Sequence, residues 1–106
     1  MKNLQITVDD FATLQKLKED FIVIDVRELW EVEKAPFKGA LHIPLANLES
    51  QISQIPNSSL LITLCHHGIR SLKAAYILNQ AQRKCLSLKG GIEEYACLID
   101  PEIVRY

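Results

Sequence analysis

The chain has 106 residues, which is enough for one domain over residues 1–106 and too few for two. Its formal net charge of -1 and its charged share of 24% give no indication of a nucleic-acid or anionic-membrane partner. No apolar run reaches the roughly 18 residues of a membrane helix, and the N-terminal residues are too polar for a signal peptide, so we expect a cytoplasmic location.

The first half of the chain alternates strand and helix patterns. An apolar–polar alternation predicts a short edge strand at residues 4–8, and Thr7 with Asp10 resembles a capping box that begins a helix. A continuous apolar run predicts a strand at residues 21–25 that is buried on both faces. The next predicted elements are a helix at residues 28–34, a strand at 40–43 and a helix that ends at 56–59. The apolar side chains of these helices are Phe11, Leu14 and Leu17, then Leu29, Trp30 and Val32, then Leu48, Ile52 and Ile55.

The second half repeats this alternation around a central strand. Its predicted elements are a strand at residues 60–64, a helix at 71–82, a strand at 85–88 and a short helix after the Gly90–Gly91 turn. The inward side chains of the long helix are expected to be Leu72, Ala75 and either Leu78 or Tyr76, and the last helix carries Tyr95 and Leu98.

Strands that are separated by helical crossovers predict an α/β domain with a mostly parallel central sheet and helices on both faces. Ligands of such sheets bind beyond the carboxyl ends of the strands. Asp25, Cys65 and Gly90 all follow predicted strands and are therefore expected at that edge. We expect the functional site there.

The segment from Cys65 to Ser71 is the candidate for chemistry. A helix that starts beside Cys65 would present unpaired N–H groups and the positive end of its dipole, which stabilise a thiolate. Gly68 can adopt a positive φ so that the loop amides converge on the sulfur, and Arg70 adds a permanent cation. Ser71 suits the junction between loop and helix and can donate its hydroxyl inward. Cys65 is therefore the candidate nucleophile, although a cysteine after a strand is often a buried small side chain.

Several polar residues near this edge receive structural interpretations. Asp25 and Arg27 are interpreted as a buried or half-buried ion pair that supports the loop. Glu28 is interpreted as an acid at a helix start, where the helix dipole favours it. His42 is interpreted as a structural residue.

The Cys-His-His run at residues 65–67 raises the question of a metal. Adjacent side chains do not converge easily on one ion, and no fourth ligand stands at a metal spacing, so we expect no metal. His66 and His67 are instead assigned to the pocket rim, where they tune the choice of substrate. Cys85 is expected in the core and Cys97 in the core or partly exposed. Three cysteines, an odd number, fit a reducing compartment better than a disulfide scaffold.

Four segments in order resemble the rhodanese (sulfurtransferase) homology domain. Residues 24–28 look like its D-x-R-E segment, Glu31 and 39–45 look like its next segment, 65–70 resemble its six-residue active loop, and 88–95 look like its closing L-x-G-G-I-x-x-W. The chain departs from the family at residues 35–40, which read A-P-F-K-G-A in place of G-H-I-x-G-A, and at Tyr95 in place of tryptophan. We interpret both departures as packing changes.

The resemblance implies a thiosulfate sulfurtransferase-like persulfide enzyme. The Cys65 thiolate would take a sulfane sulfur from a donor such as thiosulfate and pass it to cyanide or to a thiol, which can be a protein thiol. No metal or organic cofactor is implied, and the substrate-binding residues would be His66, His67, Gly68, Ile69, Arg70 and Ser71. Arg70 would steer an anionic donor or hold the loop in shape. We expect a monomer because no surplus apolar stripe is visible in the sequence.

Three alternatives stay open. A cysteine-based phosphatase or arsenate reductase also combines a cysteine loop with an arginine. Those enzymes carry five residues between the two, whereas four separate Cys65 from Arg70, which favours sulfur over a tetrahedral oxyanion. A non-catalytic rhodanese-like binding module does not explain the presence of Cys65. A sulfur carrier with a protein acceptor would use the same chemistry, and the sequence does not separate it from an enzyme.

Overall fold

The fold consists of one sheet whose strands are joined by helices, and the computed structural model describes residues 3–106. The sheet is parallel throughout, in the order β1-β5-β4-β2-β3. The strands are β1 (Gln5–Ile6), β2 (Ile22–Asp25), β3 (Leu41–His42), β4 (Leu61–Leu64) and β5 (Cys85–Leu88). The helices are α1 (Val8–Lys16), α2 (Leu29–Lys34), α3 (Leu48–Gln51), α4 (Ile69–Gln80) and α5 (Gly91–Leu98), with 3₁₀ turns at Leu45–Asn47 and Ile52–Gln54. Within residues 3–106, none of these helices has the length and apolar character needed to cross a lipid bilayer.

The central strand β4 is buried on both faces of the sheet, as its continuous apolar run predicts. The face that carries Ile24 and Leu61 packs against α3 and α4 and forms one core. The opposite face, which carries Val23 and Ile62, packs against α1 and α5 and forms the second core. The predicted parallel α/β sheet with helices on both faces is therefore confirmed.

The first strand is shorter than predicted. It ends at Ile6 because Thr7 is the N-cap of α1, and its Oγ1 accepts a hydrogen bond from the N–H of Asp10 at 3.1 Å. Val8, which was predicted in the strand, begins the helix and is buried. Leu17, counted with the apolar side chains of α1, lies beyond its last residue and is exposed.

The helix predicted up to Ile55 is interrupted. Two 3₁₀ turns flank the single α-helical turn of α3, and Ile55 is extended with φ -76° and ψ 123°. Ile55 precedes a proline, whose ring disfavours helical backbone at the residue before it. Leu48 and Ile55 are nevertheless buried, so the spacing identified core side chains although the helix is not continuous.

The helix α4 begins two residues earlier than predicted, at Ile69 rather than Ser71, because Gly68 is its N-cap. Small side chains face the sheet and let the helix approach the strands closely. The buried side chains of α4 are Ser71, Ala74, Ala75 and Leu78. The inward assignment of Ala75 is confirmed, and of the two alternatives Leu78 and Tyr76 it is Leu78 that is buried. The inward assignment of Leu72 is wrong, since Leu72 is exposed, and Leu98 of α5 is exposed as well.

Candidate active site

Cys65 lies directly after β4, in the loop that leads into α4, and its side chain is 1% exposed. The N–H groups of Gly68 and Ser71 both donate hydrogen bonds to its Sγ, at 3.1 and 3.3 Å. The Ser71 hydroxyl lies 3.3 Å from the same sulfur. Three polar groups at the N-terminal end of α4 thus face one sulfur, an arrangement that stabilises an anion.

The inward turn of these amides depends on Gly68. Its φ is +98°, in the left-handed region that side chains other than glycine rarely adopt. A Cβ at this position would also lie 3.0 Å from the backbone nitrogen of Gly90. Ser71 is the third residue of α4 and does not cap it, which places both its N–H and its hydroxyl at the sulfur. Ser71, which was predicted for the junction between loop and helix, therefore lies among the groups that surround the Cys65 sulfur.

A second helix holds the outer side of the loop. The N–H groups of Ile92 and Glu93, at the start of α5, donate to the carbonyl oxygens of Cys65 and His66 at 2.9 and 3.1 Å. The loop carbonyls therefore face α5, while the loop amides face the sulfur. The Gly90–Gly91 turn allows the backbone at the start of α5 to approach the backbone of the cysteine loop closely.

Replacing Gly91 by alanine is expected to destabilise the fold by about 3 kcal/mol or more. The φ of Gly91 is +64°, and an added Cβ would lie 2.6 Å from the carbonyl oxygen of Cys65 and closer still to that of His66. Gly39→Ala is the matched control, because Gly39 has a φ of +88° and nothing within 4 Å of an added Cβ. Urea unfolding of both variants separates backbone strain, about 1 kcal/mol in each, from the clash with the loop. Equal losses in the two variants would contradict the close packing of α5 on the loop.

Arg70 is paired with a buried carboxylate. Its Nη1 and Nη2 lie 2.6 and 2.8 Å from the two carboxylate oxygens of Glu31, which is 3% exposed. Hydrogen bonds from Arg70 lower the pKa of Glu31 to about 2, and the same contact raises the pKa of Arg70. Of the two roles expected for Arg70, this geometry favours holding the loop in shape.

Tyr106 joins this pair to the cysteine loop, and no motif or spacing in the sequence singles it out. Its hydroxyl accepts a hydrogen bond from Nη1 of Arg27 at 3.0 Å and donates one to Oε2 of Glu31 at 2.9 Å. Its ring stacks on that of His66 with centroids 3.9 Å apart. The family resemblance includes Glu31 without assigning it a role, and it does not include Tyr106. Both are parts of the site whose contacts join distant segments.

The ion pair expected between Asp25 and Arg27 is present and buried. The Nε and Nη2 of Arg27 lie 3.0 and 2.7 Å from the two oxygens of Asp25, and the two residues are 0% and 1% exposed. The same guanidinium donates to the backbone carbonyls of Glu31 and Ala35 at 3.3 and 2.8 Å. The pair therefore braces residues 25–35, and the hydroxyl of Tyr106 connects its guanidinium to Glu31 and, through Glu31, to Arg70 of the cysteine loop.

The two histidines that follow Cys65 stack on each other. Their ring centroids are 4.0 Å apart, and His67 is exposed whereas His66 is half-buried. Burial, together with the neighbouring His67, lowers the pKa of His66. Among residues 3–106 no group of three or more His, Cys, Asp or Glu side chains is arranged to hold a metal ion. The expected absence of a metal stays a prediction.

The remaining residues singled out in the sequence lie away from the sulfur. His42 contacts the backbone oxygen of Arg27 through Nε2 at 2.7 Å, which agrees with a structural role. Glu28 is the N-cap of α2, and its N–H donates to Oε1 of Glu31 at 3.0 Å. Cys85 is buried in the core, and burial raises its pKa to about 12, whereas Cys97 is exposed.

The pair between Glu31 and Arg70 predicts an acid-dependent stability. Since the pKa of Glu31 is about 2 in the folded chain and ordinarily 4.5, the pair stabilises the fold fully above about pH 4.5. This contribution is lost as the pH falls through 2. We expect Glu31→Gln to cost about 2 kcal/mol at pH 7 and to flatten the dependence of unfolding free energy on pH in acid. The exposed Glu33→Gln in the same helix is the control, and parallel curves for wild type and Glu31→Gln would contradict this reading.

Comparison with known proteins places this chain among rhodanese-like domains. The sequence profile of the family described as Rhodanese-like domain matches residues 7–96. A sulfurtransferase of Allochromatium vinosum is 30% identical over 92 residues, covering 84% of this chain and 86% of that protein. A Bacillus subtilis protein with the name "Putative sulfur carrier protein YrkF" is 29% identical over 92 residues, which are 86% of this chain and 50% of that protein. This chain thus spans about half of the length of YrkF.

The fold has close counterparts among solved structures. A rhodanese-related protein from Thermoplasma volcanium superposes with a TM-score of 0.82 at 24% identity, covering 96% of this chain and 98% of that one. At this identity the likeness concerns the fold. The match to the family profile ends at residue 96, so Tyr106 lies outside the part of the chain that the profile covers.

Proposed function

Because the chain belongs to the rhodanese-like domain family, we propose that it is a sulfurtransferase that works through a persulfide on Cys65. One observation carries this proposal: the N–H groups of Gly68 and Ser71 and the Ser71 hydroxyl all face Sγ. These groups stabilise a thiolate as nucleophile and again as the group released when the persulfide is consumed.

The reaction has two balanced steps. The Cys65 thiolate attacks the outer sulfur of a donor such as thiosulfate, a sulfur–sulfur bond forms, and sulfite leaves with the electron pair of the broken bond. Cyanide or a thiolate then attacks the outer sulfur of the persulfide, and the Cys65 thiolate is released. No net oxidation occurs in the cycle, since one sulfur atom passes from donor to acceptor.

The surroundings of the loop bear on the choice of donor. A pocket of about 390 Å³ lies beside Arg70, although Cys65 does not line it, and its other charged side chains are Lys73, Glu28 and Glu49. Since Arg70 is already paired with Glu31, these charges do not favour a dianion strongly. We propose that thiosulfate is a usable donor and that a less charged alkyl persulfide is a better one.

The rim of the loop is assigned to substrate selection. His67 is exposed, and Ile69 is 80% exposed at the first residue of α4. A sulfur carrier, as YrkF is named, would use this same loop with a protein thiol as acceptor. We propose that the protein is a cytoplasmic monomer, as expected from the sequence. The free cysteines Cys65, Cys85 and Cys97 are compatible with a reducing compartment.

The proposal is tested with the full chain, thiosulfate or an alkyl persulfide as donor, and cyanide as acceptor. We expect thiocyanate to form with both donors, and faster with the alkyl persulfide. A parallel assay with an aryl phosphate covers the phosphatase and arsenate reductase alternative. Phosphate release that depends on Cys65, without thiocyanate formation, would overturn sulfur transfer, and no turnover of either kind would favour a binding module.

A further inference from the structure

A chain of two buried hydroxyl groups leads from the candidate nucleophile into the sheet. The Ser71 Oγ lies 3.3 Å from Sγ of Cys65, and the Ser87 Oγ lies 2.7 Å from that of Ser71. Both serines are 0% exposed. Ser87 belongs to β5, outside the cysteine loop and outside the residues that the sequence identified.

Counting hydrogen atoms shows which protonation state of Cys65 this chain accommodates. If Cys65 is a thiol, three hydrogens (one S–H and two O–H) compete for two hydrogen bonds, one between Cys65 and Ser71 and one between Ser71 and Ser87. One of the three hydrogens then has no acceptor among these groups. Among residues 3–106 neither hydroxyl has a further side-chain or backbone acceptor. With a thiolate, Ser87 donates to Ser71, Ser71 donates to the sulfur, and every hydrogen is used.

The backbone of both serines is held in place by neighbouring groups. The Thr63 hydroxyl donates to the carbonyl oxygen of Ser71 at 2.7 Å, and the N–H of Ser71 points at the sulfur. Ser87 is fixed in the sheet, where it pairs with Thr63 of β4 and Gln5 of β1. The contacts that hold the two hydroxyl groups near the sulfur therefore do not depend on the exposed rim of the loop.

We propose that Ser87 is a positioning residue that turns the Ser71 hydroxyl toward Cys65 and so favours the thiolate. The contribution of Ser87 to catalysis rests on the proposed function. The same bias would help Cys65 as nucleophile and as the group released from the persulfide. Ser87 acts through Ser71 and does not touch the sulfur itself.

The test uses Ser87→Thr and Ser87→Val, which have the same shape and differ in the hydroxyl. The rate of iodoacetamide modification of Cys65 is followed against pH by peptide mass mapping, and the exposed Cys97 of the same sample is the internal control. In Ser87→Val the midpoint of the Cys65 profile is expected to move up by about half to one pH unit, while Ser87→Thr stays near wild type. Ser87→Ala is a second variant without the hydroxyl, should the larger side chains disturb the sheet.

The other charged and titratable groups around the loop are unchanged in these variants. Those groups are Arg70, Glu31, His66, His67 and Glu93. Identical midpoints of the Cys65 modification profile in the wild type and the three Ser87 variants would overturn the inference. A lower melting temperature of Ser87→Val without any change in that midpoint would overturn it as well. A shifted midpoint together with no thiocyanate from any protein would reject the proposed function and leave the role of Ser87 in place.

Discussion

Cys65→Ala is expected to lose thiocyanate formation by a factor on the order of 10³ or more, because the proposed route has no other nucleophile. The other two cysteines are poorly suited to replace it. Burial raises the pKa of Cys85 to about 12, and Cys97 lies exposed on α5, where a carboxylate oxygen of Glu93 is 3.7 Å from its sulfur. The measurement is the initial rate of thiocyanate formation from thiosulfate and from an alkyl persulfide.

Two further variants make this result specific. Cys65→Ser keeps an acceptor for the N–H groups of Gly68 and Ser71, so the loop should remain folded while sulfur transfer is lost. Cys97→Ala should keep the wild-type rate. Loss of activity in Cys97→Ala, or wild-type activity in Cys65→Ser, would reject Cys65 as the nucleophile.

Asp25→Asn is expected to destabilise the fold by about 3–5 kcal/mol, because it leaves the Arg27 guanidinium buried without its counter-charge. Arg27 is 0% exposed, and Asp25 accepts its Nε and Nη2 hydrogen bonds. Urea unfolding at pH 7 gives the free energy of unfolding directly. The loss should be larger than that of any single exposed charge.

A neutral replacement of both partners distinguishes a buried charge from a general loss of packing. In the double variant Asp25→Asn with Arg27→Met no unpaired cation remains, so part of the lost stability should return. Asp9→Asn, an exposed carboxylate in the first turn of α1, should cost about 0.5 kcal/mol. A loss at Asp25 no greater than that at Asp9 would contradict the bracing role of the pair.

The sheet and the cysteine loop could be predicted because their determinants are local. The apolar runs that end at Asp25 and Leu64 produce strands buried on both faces, and helices between them make the sheet parallel. Gly68 follows Cys65 closely enough that one positive φ directs the amides inward. Each of these features depends on residues within a few positions of one another.

The parts that escaped prediction depend on contacts between distant segments. The start of α4 was misplaced because serine is the commoner N-cap, whereas here a left-handed Gly68 is needed to bring the amides to the sulfur. Glu31 and Tyr106 meet at the loop although 75 positions separate them in the chain. Ser87 reaches Ser71 only through the parallel register of β5 beside β4.

Persulfide formation on Cys65 is measured most directly by the intact mass of the full chain after incubation with a sulfane-sulfur donor. Wild-type protein treated with thiosulfate or an alkyl persulfide should gain the mass of one sulfur atom, lose it again on addition of cyanide, and yield one thiocyanate for each sulfur lost. Cys65→Ala should gain nothing under the same conditions. A wild-type chain that gains no sulfur from either donor, or a Cys65→Ala chain that gains as much, would contradict sulfur transfer through Cys65.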